Sequence, residues 1–215
     1  MYHPAHFDES NPAALQEFIR RYPFASVIAV AAGRLDANHI PLALDPGHGT
    51  FGRLRGHIAR ANAMWREIAS GAEVLVLFHG PNSYISPSLY PSKKEHGKVV
   101  PTWNYGVVHA RGNIAWMHDP QELRQLVDNL TEQHEQERAH PWQVSDAPDE
   151  YIRKMVTGIV GFEISIVELR GKMKLSQNRS VADRAGVSSG LGQSADPGAV
   201  EMARFMNTRN NGSTS

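Results

Sequence analysis

Basic, amide, hydroxyl and aromatic residues recur together at three places in this chain. Arg55, Arg60 and Asn62 fall within GRLRGHIARANAMW, Tyr84 and Ser86 within NSYISPSLY, and Lys98, Thr102, Trp103 and Asn104 within KVVPTWNY. Cations and N–H donors suit a phosphate, amides suit the polar edge of a heterocycle, and an indole offers a flat apolar surface. Flavin mononucleotide (FMN) requires that mixture; phosphosugar and nucleotide ligands fit it nearly as well. Between two strand-like runs, the segment SYISPSLYPSKKEHGKVVPTWNY from Ser83 to Tyr105 adds Lys93, Lys94 and Lys98 to the aromatic anchors Tyr84, Tyr90 and Trp103. Long loops inside a compact domain are uncommon and are functional or disordered. The aromatic anchors argue against disorder, so this segment reads as a ligand loop.

Other chemistries find less support. There is no G-x-G-x-x-G after a strand, no G-x-x-x-x-G-K-[ST], no G-x-S-x-G and no H-E-x-x-H. The chain has 11 histidines, but His134 and His140 are not spaced to share a helix face, and His39, His57 and His109 sit on strands. No metal site is expected, and His57 and His109 read as pocket-edge or packing residues. Ser86, ahead of Pro87, reads as a turn serine, and Glu163 and Glu168 as an exposed or interface face. No catalytic residue is assigned.

The elements that must position these groups are legible in outline. Asn11 before Pro12 is a helix start, followed by Leu15, Phe18, Ile19 and Tyr22 at helical spacing. FASVIAVAA is a strand ending at Gly33, and ANHIPLAL is another, with Pro41 arguing for an edge or bulge. In FGRLRGHI, Phe51, Arg53, Arg55 and His57 share one face and Leu54 and Ile58 the other. Gly52 and Gly56 there leave room beside the backbone, as a close-packed ligand would need. ARANAMWREIAS reads as a short helix that gathers His57, Arg60 and Asn62 at its start. EVLVLFH is a core strand, and TWNYGVVHARG with NIAWM reads as a hairpin around Arg111-Gly112. PQELRQLVDNLTEQHEQER and APDEYIRKMV are helices, and GIVGFEISIVELRGKMKL is a long strand. From about Ser188 the composition turns to Gly, Ser, Asp and Asn, with a helix at AVEMARFM and a frayed TRNNGSTS end. Six or seven strands joined by short connections, with helices at the flanks, indicate a mainly β fold: an antiparallel barrel, closed or partly closed.

Totals set the class. Of 215 residues, 41% are hydrophobic and 20% charged, and Lys+Arg 22 balances Asp+Glu 22. The distribution is uneven: Phe51–Gly112 carries eight Lys/Arg against three Glu, whereas Met117–Glu168 carries four against eleven Asp/Glu. A local basic field concentrates an anionic ligand even on a neutral protein. The absence of cysteine excludes disulfides and thiolate chemistry. No signal-like N-terminus or membrane-length apolar run is found, so a soluble cytoplasmic protein is expected.

The ordered blocks NHIPLAL, GRLRGHIARANAMW, GPNSYISPSLY, VVPTWNYGVVHARG and KLSQNRSVADRAGV resemble the PaiB-like family of FMN-binding negative transcriptional regulators. The resemblance runs from MYHPAHF to about Leu191, and VPTWNY and KLSQN are its specific parts. It implies an FMN-binding split β-barrel related to the pyridoxamine-phosphate-oxidase-like flavoproteins, spanning 1–187, with 188–215 as a partly flexible extension. It also implies a homodimer with FMN sites across the subunit interface. Carried over by position, Arg55, Gly56, His57 and Ile58 line the cofactor, Asn62 follows, and Ser86, Thr102, Trp103 and Asn104 complete the pocket with Lys174, Gln177 and Asn178. One departure stands out. Where many relatives in the wider superfamily place a basic residue three positions before the helix-starting asparagine, this chain has Ala59, leaving the phosphate to Arg60, Arg55 or Lys174. No helix-turn-helix accompanies the regulator name, so direct DNA binding has no sequence motif behind it. An FMN-dependent oxidoreductase is the rival reading. A haem-handling split barrel, with His57 or His96 on iron, is the third.

Overall fold

The structure of the chain, a computed structural model, describes residues 1–211, with side chains through Arg209. In chain order the elements are β1 (Asp8–Glu9), α1 (Pro12–Arg21), β2 (Phe24–Ala31), β3 (Arg34–Pro41), β4 (Ala43–Asp45), β5 (Arg53–Ala59), α2 (Met64–Glu67) and β6 (Glu73–Ile85). There follow α3 (Ser92–His96), β7 (Thr102–Met117), α4 (Pro120–Glu135), α5 (Asp149–Thr157), β8 (Ile159–Lys174), α6 (Val181–Gly192) and α7 (Pro197–Asn211). The strands form one eight-stranded antiparallel sheet in the order β3-β2-β6-β7-β8-β5-β4, with β1 on β8. This is the mainly β antiparallel fold that the sequence pattern leads one to expect, and the split barrel that the family resemblance implies.

The chain forms two compact units. The larger comprises Asn11–Phe78 and His109–Leu169; the other comprises Met1–Ser10, His79–Val108 and the described residues from Arg170 onward.

In the larger unit, α1 starts where expected: the Asn11 Oδ1 accepts from the Ala13 and Ala14 N–H groups at 3.0 and 3.3 Å. Pro41 ends β3, and β3 and β4 lie at opposite ends of the sheet order. Proline removes a ladder donor, so the strand breaks there and the chain re-enters the sheet elsewhere. β5 alternates as read, with Leu54 and Ile58 buried and Arg53, Arg55 and His57 half-buried. Beside Gly56 the space is filled from within the chain: an added Cβ would meet Leu42 Cδ2 at 2.7 Å and Phe162 Cζ at 3.0 Å. The helix expected over ARANAMWREIAS is confined to Met64–Glu67. The hairpin expected at Arg111-Gly112 does not exist, because β7 runs unbroken through both residues. Gly112 serves close strand packing instead, since an added Cβ would lie 2.3 Å from Ser165 O. α4 is capped by Asp119, whose carboxylate accepts from Gln121 and Glu122 N–H, and its buried stripe is Leu123, Leu126 and Leu130.

In the other unit, β6 carries on to Ile85, so the ligand loop is shorter than read and includes a 3-10 turn, Pro87–Leu89, and α3. The sequence reading contained no helix at 181–192. α6 forms there because Gly186 and Gly190 let it lie directly on the loop: added Cβ atoms would meet Leu89 O at 2.4 Å and Leu89 Cδ2 at 2.4 Å. Its N-cap is Ser180, and Asp183 in its first turn accepts from the Ser92 N–H (3.1 Å) and hydroxyl (2.8 Å). α7 covers AVEMARFM and continues through Thr208–Asn211; the rest of the segment read as frayed lies outside the described residues.

Candidate functional site

The residues singled out from sequence fall into two groups, one within each unit. In the smaller unit, the start of β7 meets the end of β8. The Lys174 Nζ donates to the Trp103 carbonyl at 2.5 Å and to the Thr102 hydroxyl. Burial, together with the neighbouring cations Lys172 and Arg179, holds the Lys174 amine below the usual lysine range. Among the described residues no carboxylate pairs with it. Next to it Trp103 is 52% exposed and Tyr84 51%, their rings edge to face at 6.3 Å.

Asn104 is fully buried behind this surface. Its amide and the Ser176 hydroxyl exchange hydrogen bonds at 2.9 and 3.2 Å, and Met206 Sδ lies 3.5 Å from its Nδ2. Ser176 has φ +66°, a left-handed conformation that costs free energy outside glycine and needs surrounding contacts to persist. Gln177 folds back on its own turn, accepting from Leu175 N–H at 2.6 Å and donating to Met173 O. Asn178 is exposed. Ser86 accepts from Ser88 N–H at 3.2 Å and caps the 3-10 turn, in keeping with a turn serine. Thr102, Trp103, Asn104, Lys174 and Gln177 are thus drawn together around one β7–β8 junction. Sequence reasoning missed Ser176, Lys172 and Arg179; Tyr90, read as an aromatic anchor, is fully buried, and its hydroxyl lacks a partner among the described residues. KLSQN carried Ser176, but nothing local marks the positive φ.

In the larger unit the basic face of β5 is largely neutralised. Arg53 bridges Asp45 (3.0 Å) and Glu163 (2.9 Å), and Arg55 reaches the same Glu163 oxygen at 3.4 Å. At Asp45 burial acts to raise the pKa, but hydrogen bonds from Arg53 and Gly47 and the charges of Arg53 and Arg55 hold it below the usual carboxylate range. Two buried atoms here, Arg55 Nε and His57 Nδ1, have no hydrogen-bond partner. His57 lines a cavity of about 340 Å³ with Pro41, Val127, Leu130, Thr131, His134, Glu135 and Trp142, and burial lowers its pKa. Gly56 and Ile58 turn into the core. Arg60 is held by the carbonyls of Thr157 (2.7 Å) and Ile159 (2.8 Å), and Asn62 by Asn38 (2.7 Å). Asn62 does stand at the start of α2, its Oδ1 accepting from the Met64 N–H at 2.9 Å, whereas Arg60 turns to the two carbonyls instead.

A phosphate-bearing flavin needs a cation not already spent on a carboxylate and a flat apolar surface for its ring. The β7–β8 junction supplies both, so its residues fit that ligand. Among the described residues no group of three or more His, Asp or Glu is placed to hold a metal ion.

Comparison with known proteins points to the same class of ligand. The family model described as "Putative FMN-binding domain" matches residues 1–168. The chain is 32% identical to "Protease synthase and sporulation protein PAI 2" of Bacillus subtilis over 206 residues, 96% of each chain. It is 35% identical to an uncharacterized protein of Emericella nidulans, over 89% of this chain and 90% of that one. Among solved structures, the "FAD and Heme binding protein" of Mycobacterium smegmatis superposes with a TM-score of 0.60 at 16% identity, covering 83% of this chain and 78% of that one, a likeness of fold.

Proposed function

This chain belongs to the putative FMN-binding domain family, and from that premise we propose that it is a flavin-holding regulatory protein of the PaiB type, working as a cytoplasmic homodimer. Its cofactor is FMN. Bound FMN supplies a planar ring able to take up and give back electrons. The chain's own contribution is to hold it.

The observation that carries the assignment of the site is Lys174. Of the three cations that the sequence offers for the phosphate, Arg55 shares Glu163 with Arg53 and Arg60 is held by two carbonyls, whereas Lys174 has only neutral oxygen partners. An amine without a counter-ion beside a second cation is poised to accept an anion. Trp103 and Tyr84 would lie along the ring. The buried Asn104–Ser176 pair fixes the backbone from which Trp103 and Lys174 project. Ser86, Gln177 and Asn178 border this junction, and Arg55, Gly56, His57, Ile58, Arg60 and Asn62 serve the larger unit.

The regulatory role is supported by the name of the Bacillus relative, which places that protein in sporulation. We infer an indirect route to DNA, through a partner. Dimerisation is supported by exposed apolar side chains that a second copy would cover, Tyr84, Val100 and Trp103 in one unit and Phe24, Val30 and Leu35 in the other. No helix among the described residues is long and apolar enough to cross a membrane. A second reading, an FMN-dependent oxidoreductase, is favoured by the same half-exposed Trp103–Tyr84 surface, which leaves room for a reactant over the ring.

Flavin titration followed by fluorescence tests the site. Lys174→Gln is expected to weaken FMN binding about 10- to 100-fold, the loss of a charge-assisted contact, and Trp103→Ala to weaken it through lost ring cover. Unchanged affinity in both variants removes the β7–β8 junction from the site. Anaerobic mixing of the FMN-loaded protein with NADH or NADPH separates the two roles: rapid bleaching of the flavin band supports the oxidoreductase. No bleaching, with a DNA shift that appears only when cell partners are added, supports the regulator. Light scattering of the loaded protein reports the dimer.

A further inference from the structure

The most acidic stretch of the chain, Met117–Glu168, builds most of a cleft that no carboxylate lines among the described residues. This cleft, between α4 and α5 and with a volume of about 460 Å³, is lined by Arg60, His118, Pro120, Leu123, Arg124, Ile152, Arg153, Val156 and Thr157. Its floor is apolar and buried: Leu123, Ile152 and Val156 belong to a packed cluster with Val144. A concave, mostly apolar space of this size with a few polar groups at its margin has the character of a small-molecule site.

The polar groups at the margin have one sign. Arg124 is neutralised by Asp128 at 3.2 Å, with Asp149 at 3.8 Å. Among the described residues Arg60 has no carboxylate partner; its Nε and Nη2 are fixed by the Thr157 and Ile159 carbonyls, which sets the plane of the guanidinium and leaves Nη1 uncommitted. Arg153 makes no ion pair among the described residues and is exposed. Two unneutralised guanidiniums beside an apolar floor call for a ligand that is itself divided, anionic at one end and apolar along its body. Arginine's planar fork matches a carboxylate in particular.

We propose that this cleft binds a small carboxylic acid with an apolar body, a medium-chain acyl or aryl carboxylate, its head at Arg60 and Arg153 and its body on Leu123, Ile152 and Val156. Bare phosphate would leave the floor uncovered, and a neutral apolar molecule would leave the arginines unmatched. The site is independent of the FMN assignment, since none of Lys174, Trp103 and Thr102 lines it.

Isothermal titration of the FMN-loaded full chain with octanoate, octanol and inorganic phosphate tests the proposal. Octanoate is expected to bind, with octanol and phosphate each about tenfold or more weaker, and Arg153→Glu is expected to weaken octanoate about tenfold while leaving the flavin spectrum unchanged. Because Arg153 is exposed, that variant folds. The proposal is overturned if millimolar octanoate gives no binding heat, if octanol or phosphate binds as tightly, if Arg153→Glu binds octanoate as the wild type does, or if that variant loses its flavin.

Discussion

Gly186→Ala opposes two effects of known size. In the middle of a helix, alanine is favoured over glycine by roughly 0.5–1 kcal/mol because it restricts the unfolded chain and suits the helix. Against this, the new Cβ would lie 2.4 Å from the Leu89 carbonyl oxygen and 2.8 Å from Pro91 Cδ. The first is a backbone atom, so the loop or the helix must move, and overpacking of that kind costs about 1–3 kcal/mol. With central values the clash wins, leaving a net loss of about 1 kcal/mol and at most about 2.5 kcal/mol, so that for a chain of this size Tm falls by roughly 2–4 °C per kcal/mol lost. Because the atoms displaced belong to the loop that carries Lys93, Lys94 and Lys98, trypsin should also cut there faster. Gly192→Ala is the internal control: its nearest new neighbour is Ala203 Cβ at 3.9 Å, an ordinary contact, so the alanine preference acts alone and stability rises by about 0.5–1 kcal/mol. Thermal unfolding by circular dichroism and a trypsin time course read both variants. A Gly186→Ala protein as stable as the wild type, or one with an unchanged cleavage rate, would refute the claim that this glycine holds the loop.

Asn104→Ala should lower the stability of the flavin-free protein by about 1–3 kcal/mol, because it strands the buried Ser176 hydroxyl; a normal apoprotein Tm would show that the network is not structural. The folded-state pKa of His57 lies below its ordinary value of 6.5 because burial disfavours the cation. Between those values the unfolded chain binds the proton and the folded chain does not, so stability falls as pH drops from about 6.5 and levels off below the folded pKa. His57→Gln should flatten that part of the pH profile in urea unfolding. At Asp183 burial acts to raise the pKa, but hydrogen bonds from Ser92 and Ser180 and the charge of Arg179 hold it below the ordinary 3.8. It therefore contributes stability above 3.8 that is lost as pH falls through the folded value, and Asp183→Asn should remove that acid limb and speed trypsin cleavage at the loop lysines.

What could be read from sequence is what neighbouring residues decide between themselves. Asn11-Pro12 starts α1, Leu123, Leu126 and Leu130 face inward from α4, and Leu54 and Ile58 alternate against Arg53, Arg55 and His57 on β5. Each of these follows from a backbone period or a cap acting over a few positions. A glycine has no such local signature. Gly112 resembled a turn and is mid-strand, and Gly190 resembled loop composition and sits in a helix with Gly186, because in each case the reason for glycine is a backbone or side chain far along the chain.

The 83–105 segment stands out in sequence by its composition, but its attachment to α6 through Asp183 does not. The candidate site divides in the same way. Sequence named Lys174, Arg55 and Arg60 as equal candidates for an anion, since all three are cations of the right family blocks. Only the folded chain brings Glu163 to Arg55 across 108 positions, and the Thr157 and Ile159 carbonyls to Arg60 across 97 and 99, while leaving Lys174 with neutral partners. Residue type is local information, but whether a charge is already neutralised depends on which distant groups the fold sets beside it.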